Sequence, residues 1–279
     1  DWDNPAIAEP EFVPAAPSRG AGLAPLLFFL PGIMGSRLEA DGDPIWLEPL
    51  RLAGGGLKRI AMVSKAEVST DGLVDLAYGN LSRYLRRSHQ VEEHPYDWRK
   101  PLAELGEAFA RRLDQALDDH PDMPVRILAH SMGGLVVRAA LAARPGLWDK
   151  FGARDGNRLV MLGTPNKGSH LFVETLLGQS DTIRTLARLD LAQGLQEVLD
   201  IVAGFPGALQ LLPAPGFIDT DGRPPRAFYE RATWDALAAI NDDFWFGKAL
   251  CGRPSQARLE EARASWDAIA DTRWVGQAP

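Results

Sequence analysis

Six residues, Ala129-His130-Ser131-Met132-Gly133-Gly134, directly follow the apolar run Val125-Arg126-Ile127-Leu128 and lead into Leu135-Val136-Val137. An apolar run, a serine with tiny residues two positions to either side, and a second apolar run read as strand, sharp turn and helix. Such a turn lifts the serine hydroxyl above the end of a sheet, and the small flanks let strand and helix approach without side-chain collision. Ala129 stands where glycine is more usual, a departure of one methyl group. A plain helix N-cap serine fits the same local pattern, but it gives no reason for the pair Gly133-Gly134.

The flanking pattern predicts an α/β chain. Leu26 to Leu30 is a continuous apolar run stopped by Pro31-Gly32, as expected of a strand covered on both faces. Leu102, Leu105, Phe109, Leu113 and Leu117 recur at helical spacing ahead of the Val125 strand. Arg158 to Leu162 reads as the next buried strand, and Leu259, Ala262, Trp266 and Ile269 form one stripe of a late helix. Thr272 to Val275 begins what reads as a further core strand. Alternating strands and helices imply a mostly parallel sheet wrapped by helices. With the serine turn, this is a three-layer α/β-hydrolase core.

Two regions fit that pattern poorly. Residues 51–88 carry the run Gly54 to Gly56 and an amphipathic stretch with Leu81, Tyr84 and Leu85. Residues 172–248 are dense in apolar residues at helical spacing, among them Ile183, Leu186, Leu195, Leu199 and Val202. We read the second as a helical cap inserted between core strands; an ordinary helical subdomain with no substrate role fits equally well. Residues 1–22, rich in Pro and Ala, read as a surface arm. Residues 23–279 read as a single hydrolase domain carrying the cap.

Bulk properties narrow the partners. A net charge of −7 with no basic stripe argues against nucleic acid. Cys251 is the only cysteine, which rules out an intrachain disulfide and is compatible with a reducing, cytoplasmic compartment. The run Leu23 to Leu30 is too short to cross a bilayer and follows no basic segment, so neither a membrane span nor a secretory signal is expected. The histidines and carboxylates lack zinc-ligand spacing and no phosphate-cradling glycine loop is present, so no metal or cofactor is expected.

Acyl transfer needs a nucleophile, a base for its proton and donors for the oxyanion. The donors in such a fold are the amide after the serine and one in the loop after an early strand. Here they are the amides of Met132 and Ile33, the latter in Pro31-Gly32-Ile33-Met34-Gly35-Ser36. Gly32 and Gly35 allow the tight path that aims an amide into the site.

That loop, Ile45-Trp46-Leu47-Glu48, Pro95-Tyr96-Asp97-Trp98-Arg99, the Ser131 turn and Leu162-Gly163-Thr164-Pro165-Asn166-Lys167-Gly168-Ser169 occur in this order. Together they resemble the lecithin:cholesterol acyltransferase family over residues 24–171. The resemblance implies an enzyme that moves acyl groups from a phospholipid or other ester to an alcohol or water through an acyl-serine. It implies Ser131 as nucleophile, Ile33 and Met132 as oxyanion donors, and supporting roles for Gly32, Trp46, Asp97, Arg99, His130 and Gly133. Asp97 and Arg99 are either a paired brace beneath the site or a surface ion pair of little worth. The cap would shape the acyl pocket and touch a membrane surface transiently.

The rest of a triad is missing. Its order in this fold is Ser, then Asp or Glu, then His, and the only histidine after Ser131 is His170. His170 is expected at a helix start beside the site, not on a last loop. His130 must point away from the serine, and His89, His94 and His120 are expected in packing or surface roles. Asp219 and Asp221 read as a solvated turn. The expectation is a piece of a longer hydrolase, nearly inactive alone. The alternatives are a catalytically dead hydrolase fold kept for binding or regulation, and an esterase of small soluble substrates.

Overall fold

The computed structural model describes residues 24–46, 48–190, 192–217, 227–241 and 250–270. The expected arm at 1–22, the strand at 272–275 and the turn holding Asp219 and Asp221 lie outside the described residues.

The chain runs β1 (Leu26–Leu30), β2 (Ser36–Ala40), β3 (Asp43–Pro44), α1 (Pro49–Ala53), α2 (Gly56–Arg59), β4 (Val68–Leu73), α3 (Asp75–Leu85) and β5 (Gln90–Glu93). It continues through α4 (Leu102–Asp119), β6 (Val125–His130), α5 (Met132–Ala143), α6 (Pro145–Gly152) and β7 (Arg158–Leu162). The helices α7 (His170–Leu176), α8 (Asp181–Leu189), α9 (Leu195–Ala203), α10 (Pro206–Leu209), α11 (Arg231–Ile240) and α12 (Gln256–Ile269) follow.

The main sheet has the order β5-β1-β6-β7 and every pairing is parallel. In β1, alternate side chains serve opposite faces, as strand geometry requires. Phe28 turns to α4, its ring edge-on to Phe109 with centroids 5.6 Å apart. Leu27 and Phe29 turn the other way, to Leu73 and Tyr78. Both faces are therefore covered, which explains why β1 is apolar at every position. Helices on each face of a parallel sheet make this an α/β-hydrolase core. The five predicted apolar positions of α4 are all buried, as are the four of α12. Helices α4 and α5 touch so closely that a Cβ on Gly106 would lie 2.6 Å from that of Ala139.

Two features differ from the sequence expectation. The awkward stretch before β5 contributes to a small antiparallel sheet of order β3-β2-β4 as well as to helices. And β7 is not a fully buried strand: Val160 is 46% and Leu162 43% exposed. The reason is positional, because among the described residues β7 is the outer strand of its sheet and has a neighbour only in β6.

Helices α7 to α11 supply the predicted helical stretch, and their apolar residues join the same buried cluster as the core strands. Polar ties hold them down. Gly207 N donates to Arg99 O at 2.9 Å, Leu102 N to the Gln210 side chain at 2.6 Å, and Ser169 N to Leu211 O at 2.8 Å.

Candidate active site

Ser131 joins β6 to α5 with φ 51° and ψ −121°. A non-glycine residue rarely adopts this conformation, which costs about 1–3 kcal/mol and persists only where surrounding structure enforces it. Enforcement comes from both sides. Ser131 N donates to Leu162 O of β7 at 2.8 Å, and Gly134 N donates to Ser131 O at 3.1 Å. The glycine pair has a packing reason. A Cβ on Gly133 would lie 2.6 Å from Pro31 O and 2.9 Å from Leu30 O, and one on Gly134 would run into the Thr164 side chain. The turn is thus wedged between the loops that follow β1 and β7. Ser131 itself remains half-buried, not sealed in the interior.

The loop after β1 lies against the turn. A Cβ on Gly32 would come within 3.0 Å of both the Ser131 Cβ and the His130 ring, which is why glycine stands there. Gly35 N closes a tight turn onto Gly32 O at 3.1 Å, with Met34 in the left-handed region at φ 62°. Neither the Ile33 amide nor the Met132 amide, the latter at the first helical position of α5, has a hydrogen-bond acceptor among the described residues.

Around this loop stands a frame of buried side chains. Trp46 Nε1 donates to Met34 O at 2.8 Å, Tyr96 OH to Pro31 O at 2.7 Å, and Trp98 Nε1 to Ser36 O at 3.3 Å. Ser36 Oγ accepts from Tyr96 N at 3.0 Å. Tyr78 OH accepts from Gly32 N at 2.9 Å and meets His130 Nδ1 at 2.9 Å. Burial, partly offset by the bond from Gly32 N–H, pushes the Tyr78 phenol above its usual range. Burial likewise raises Tyr96, aided by the neighbouring Tyr78.

Asp97 and Arg99 resolve the choice left open by sequence: they are a buried brace, 7% and 5% exposed. Asp97 Oδ1 accepts from Arg99 Nε at 2.8 Å and Oδ2 from Nη2 at 2.6 Å, while Arg99 also donates to Ile60 O after α2. The forked pairing is the strong geometry for these groups. It joins the segment before α4 to α2, and through Arg99 O to Gly207 in α10.

None of the five histidines bonds to Ser131. His130 turns to Tyr78, and burial lowers its pKa, favouring the neutral ring. His94 packs on Phe109, where burial, and secondarily Arg112, push it down to about 4. His89 bonds Arg126 and Ser88, and His120 closes α4. His170 starts α7 as expected, with its ring against Phe217 and Phe228 at 5.6 and 5.9 Å. A cleft of about 570 Å³ lined by Arg138, Met161, Phe217 and Trp266 does not include Ser131. Among the described residues no cluster of histidine, cysteine and carboxylate groups has the makings of a metal site.

Tyr78 is the site residue that sequence reasoning missed. It lies in the stretch scanned for a helical stripe, where Leu81 and Leu85 carried the pattern.

The family model described as lecithin:cholesterol acyltransferase matches residues 55–222, more than half of the chain. The match includes Asp97, Arg99, Ser131 and Met132, whereas the loop bearing Ile33 and Trp46 lies before it. Four solved chains are similar, one being Bacillus licheniformis lipase BlEst2 in mature form, at 13% identity and a TM-score of 0.36 over 91% of this chain and 94% of that one. No curated protein matches the sequence.

Proposed function

Because the chain belongs to the lecithin:cholesterol acyltransferase family of lipid acyl hydrolases and acyltransferases, we propose that it carries the nucleophile and oxyanion half of a serine acyl-transfer site for lipid-like esters. Ser131 Oγ attacks the ester carbonyl, forming the acyl-serine as the alcohol leaves. Water or a second alcohol then takes the acyl group. The amides of Ile33 and Met132 receive the oxyanion formed in each step. One observation carries this reading: a serine held at φ 51° with Gly32 of the β1 loop packed against it, while the Ile33 and Met132 amides have no acceptor among the described residues. Losing one such donor typically costs about 10²–10³ in kcat.

Trp46 and Gly32 hold the Ile33 loop, Gly133 permits its approach, and the Asp97–Arg99 brace supports it from below. His130 anchors the frame. The helices from α7 to α11 act as the cap over the acyl group. Leu171 in α7 and Ile240 in α11, 61% and 72% exposed, are the residues we assign to transient contact with a lipid surface. No described helix is long and apolar enough to cross a membrane.

With every histidine engaged away from Ser131, no imidazole base stands at the serine, and we expect the chain as it stands to be a poor catalyst. Losing the base of a triad costs on the order of 10⁶ in kcat, while the oxyanion hole and binding can leave roughly 10³–10⁴ over water. The test compares this chain with Ser131→Ala on a p-nitrophenyl ester, with and without added imidazole as a surrogate base. The expected result, after subtracting the rate at which imidazole cleaves the ester in free solution, is slow turnover that imidazole raises only when Ser131 is present. Fast turnover without imidazole contradicts the missing base. Equal rates for both proteins contradict the serine mechanism.

A second reading has one observation in its favour, the absence of an imidazole at Ser131: a hydrolase fold kept for binding or regulation. It predicts lipid binding with no dependence on Ser131 under any condition.

A further inference from the structure

We propose that Tyr78 is a positioning residue of the oxyanion hole, whose hydroxyl ties together the two strand ends that present the Ile33 and Met132 amides. The proposal rests on the serine reading above. The Pro31–Gly32 peptide is gripped at both ends. Tyr96 OH donates to its carbonyl oxygen, and its N–H donates to Tyr78 OH. A peptide plane fixed at its oxygen and its nitrogen cannot rotate. The next peptide is held too, since Gly32 O accepts from Gly35 N. In a trans peptide the N–H points opposite to the C=O, so fixing Gly32 O fixes the direction of the Ile33 amide.

The same hydroxyl reaches the other half of the hole. Having accepted from Gly32 N–H, Tyr78 OH has its own proton to give, and His130 Nδ1 lies 2.9 Å away. With Tyr78 OH taken as the donor in this bond, the His130 ring proton is assigned to Nε2. Only Ser131 separates His130 from Met132. One phenol oxygen thus bridges the residue before Ile33 and the residue before the nucleophile. The surrounding packing is shaped to this ring: Phe29 lies edge-on at 5.4 Å, and a Cβ on Gly35 would lie 2.7 Å from Tyr78 Cε2. Trp46 holds the far end of the loop, so Tyr78 sets the near end.

The experiment follows phosphonylation of Ser131 by a p-nitrophenyl alkylphosphonate. Ser131 Oγ bonds to phosphorus, the bond to p-nitrophenolate breaks with its electron pair, and the serine proton goes to buffer. Nitrophenolate release gives the rate, and mass spectrometry of the peptides locates the adduct. Tyr78→Phe keeps the ring and removes the bridge. It is expected to slow labelling about 10-fold to 10²-fold, as misplacement by a fraction of an ångström to one ångström does, with reagent affinity little changed and the melting temperature lowered by the Gly32 N–H left unpaired. An unchanged rate with a lowered melting temperature overturns the proposal, since a merely structural tyrosine behaves that way. Nitrogen NMR of His130 in the unaltered protein is the second measurement. An unprotonated Nδ1 supports the bridge and a protonated Nδ1 overturns it. If the unaltered protein labels Ser131 no faster than its unfolded chain does, the serine reading itself fails. That result is distinct because it needs no variant.

Discussion

The two loops that flank Ser131 are built in opposite ways. On the β1 side, residues 31–36 are held by side chains from Trp46, Tyr78, Tyr96 and Trp98, residues far apart in the chain. On the β7 side, the strand is half-exposed, Thr164 Oγ1 is buried with no hydrogen-bond partner among the described residues, and His170 rests on two phenylalanines. The lesson is that oxyanion stabilisation depends on fixed dipoles, and fixed dipoles need a rigid surround. Proton transfer needs a base within reach, and among the described residues none of the five histidines bonds to Ser131. The two halves of the proposed chemistry are separable in the structure.

The contrast breaks most readily at the brace beneath the β1 side. Replacing Arg99 with Leu leaves the Asp97 carboxylate buried without its partner. We expect a loss of about 3–5 kcal/mol, read by chemical denaturation. Replacing both residues with apolar ones of similar volume is expected to cost much less, because no buried charge is stranded. An equally small loss for Arg99→Leu alone would show the pair to be exposed in solution.

Next in size are the two glycines, which face opposite sides. Gly133→Ala drives a methyl into the backbone carbonyls of Pro31 and Leu30, which cannot yield without moving the Ile33 loop. We expect about 3 kcal/mol of destabilisation, the upper part of the overpacking range, and a loss of Ser131 labelling greater than 10-fold. Gly134→Ala meets only the Thr164 side chain. It is expected to cost about 1–2 kcal/mol, part of it recovered when Thr164→Ala is added, the coupling that touching residues show. Equal penalties on the two sides, with no recovery, would erase the contrast.

The smallest effects belong to the β7 side. Thr164→Val removes a buried hydroxyl that has no partner among the described residues, so stability is expected to stay level or rise by up to about 1 kcal/mol. His170→Ala is expected to leave Ser131 labelling unchanged within twofold. A large fall in that rate would make His170 the base after all.

How much of this was legible in sequence follows from how local each signal is. The strands at 26–30 and 125–130 and the helices at 102–119 and 256–269 announce themselves through apolar runs and helical spacing. The turn at Ser131 does so through its small neighbours. The small antiparallel sheet did not: β3 is two residues long, and β4 reads Val-Ser-Thr-Asp-Gly-Leu, more polar than apolar. The exposure of β7 was hidden because Leu-Val-Met-Leu reads as buried whatever lies beside it. The burial of Asp97 and Arg99 is a tertiary fact, set by α2 and α10 closing over the pair. Tyr78 is the clearest case. Its partner Gly32 lies 46 positions away, and no period or spacing connects a phenol to a peptide at that distance.

The central claim is geometric, so the most direct measurement is a crystal structure of this chain with Ser131 phosphonylated. The account predicts one phosphoryl oxygen about 2.7–3.1 Å from both the Ile33 and the Met132 nitrogen, the range required of an oxyanion hole. A phosphoryl oxygen facing solvent, with those amides turned to other acceptors, would contradict it.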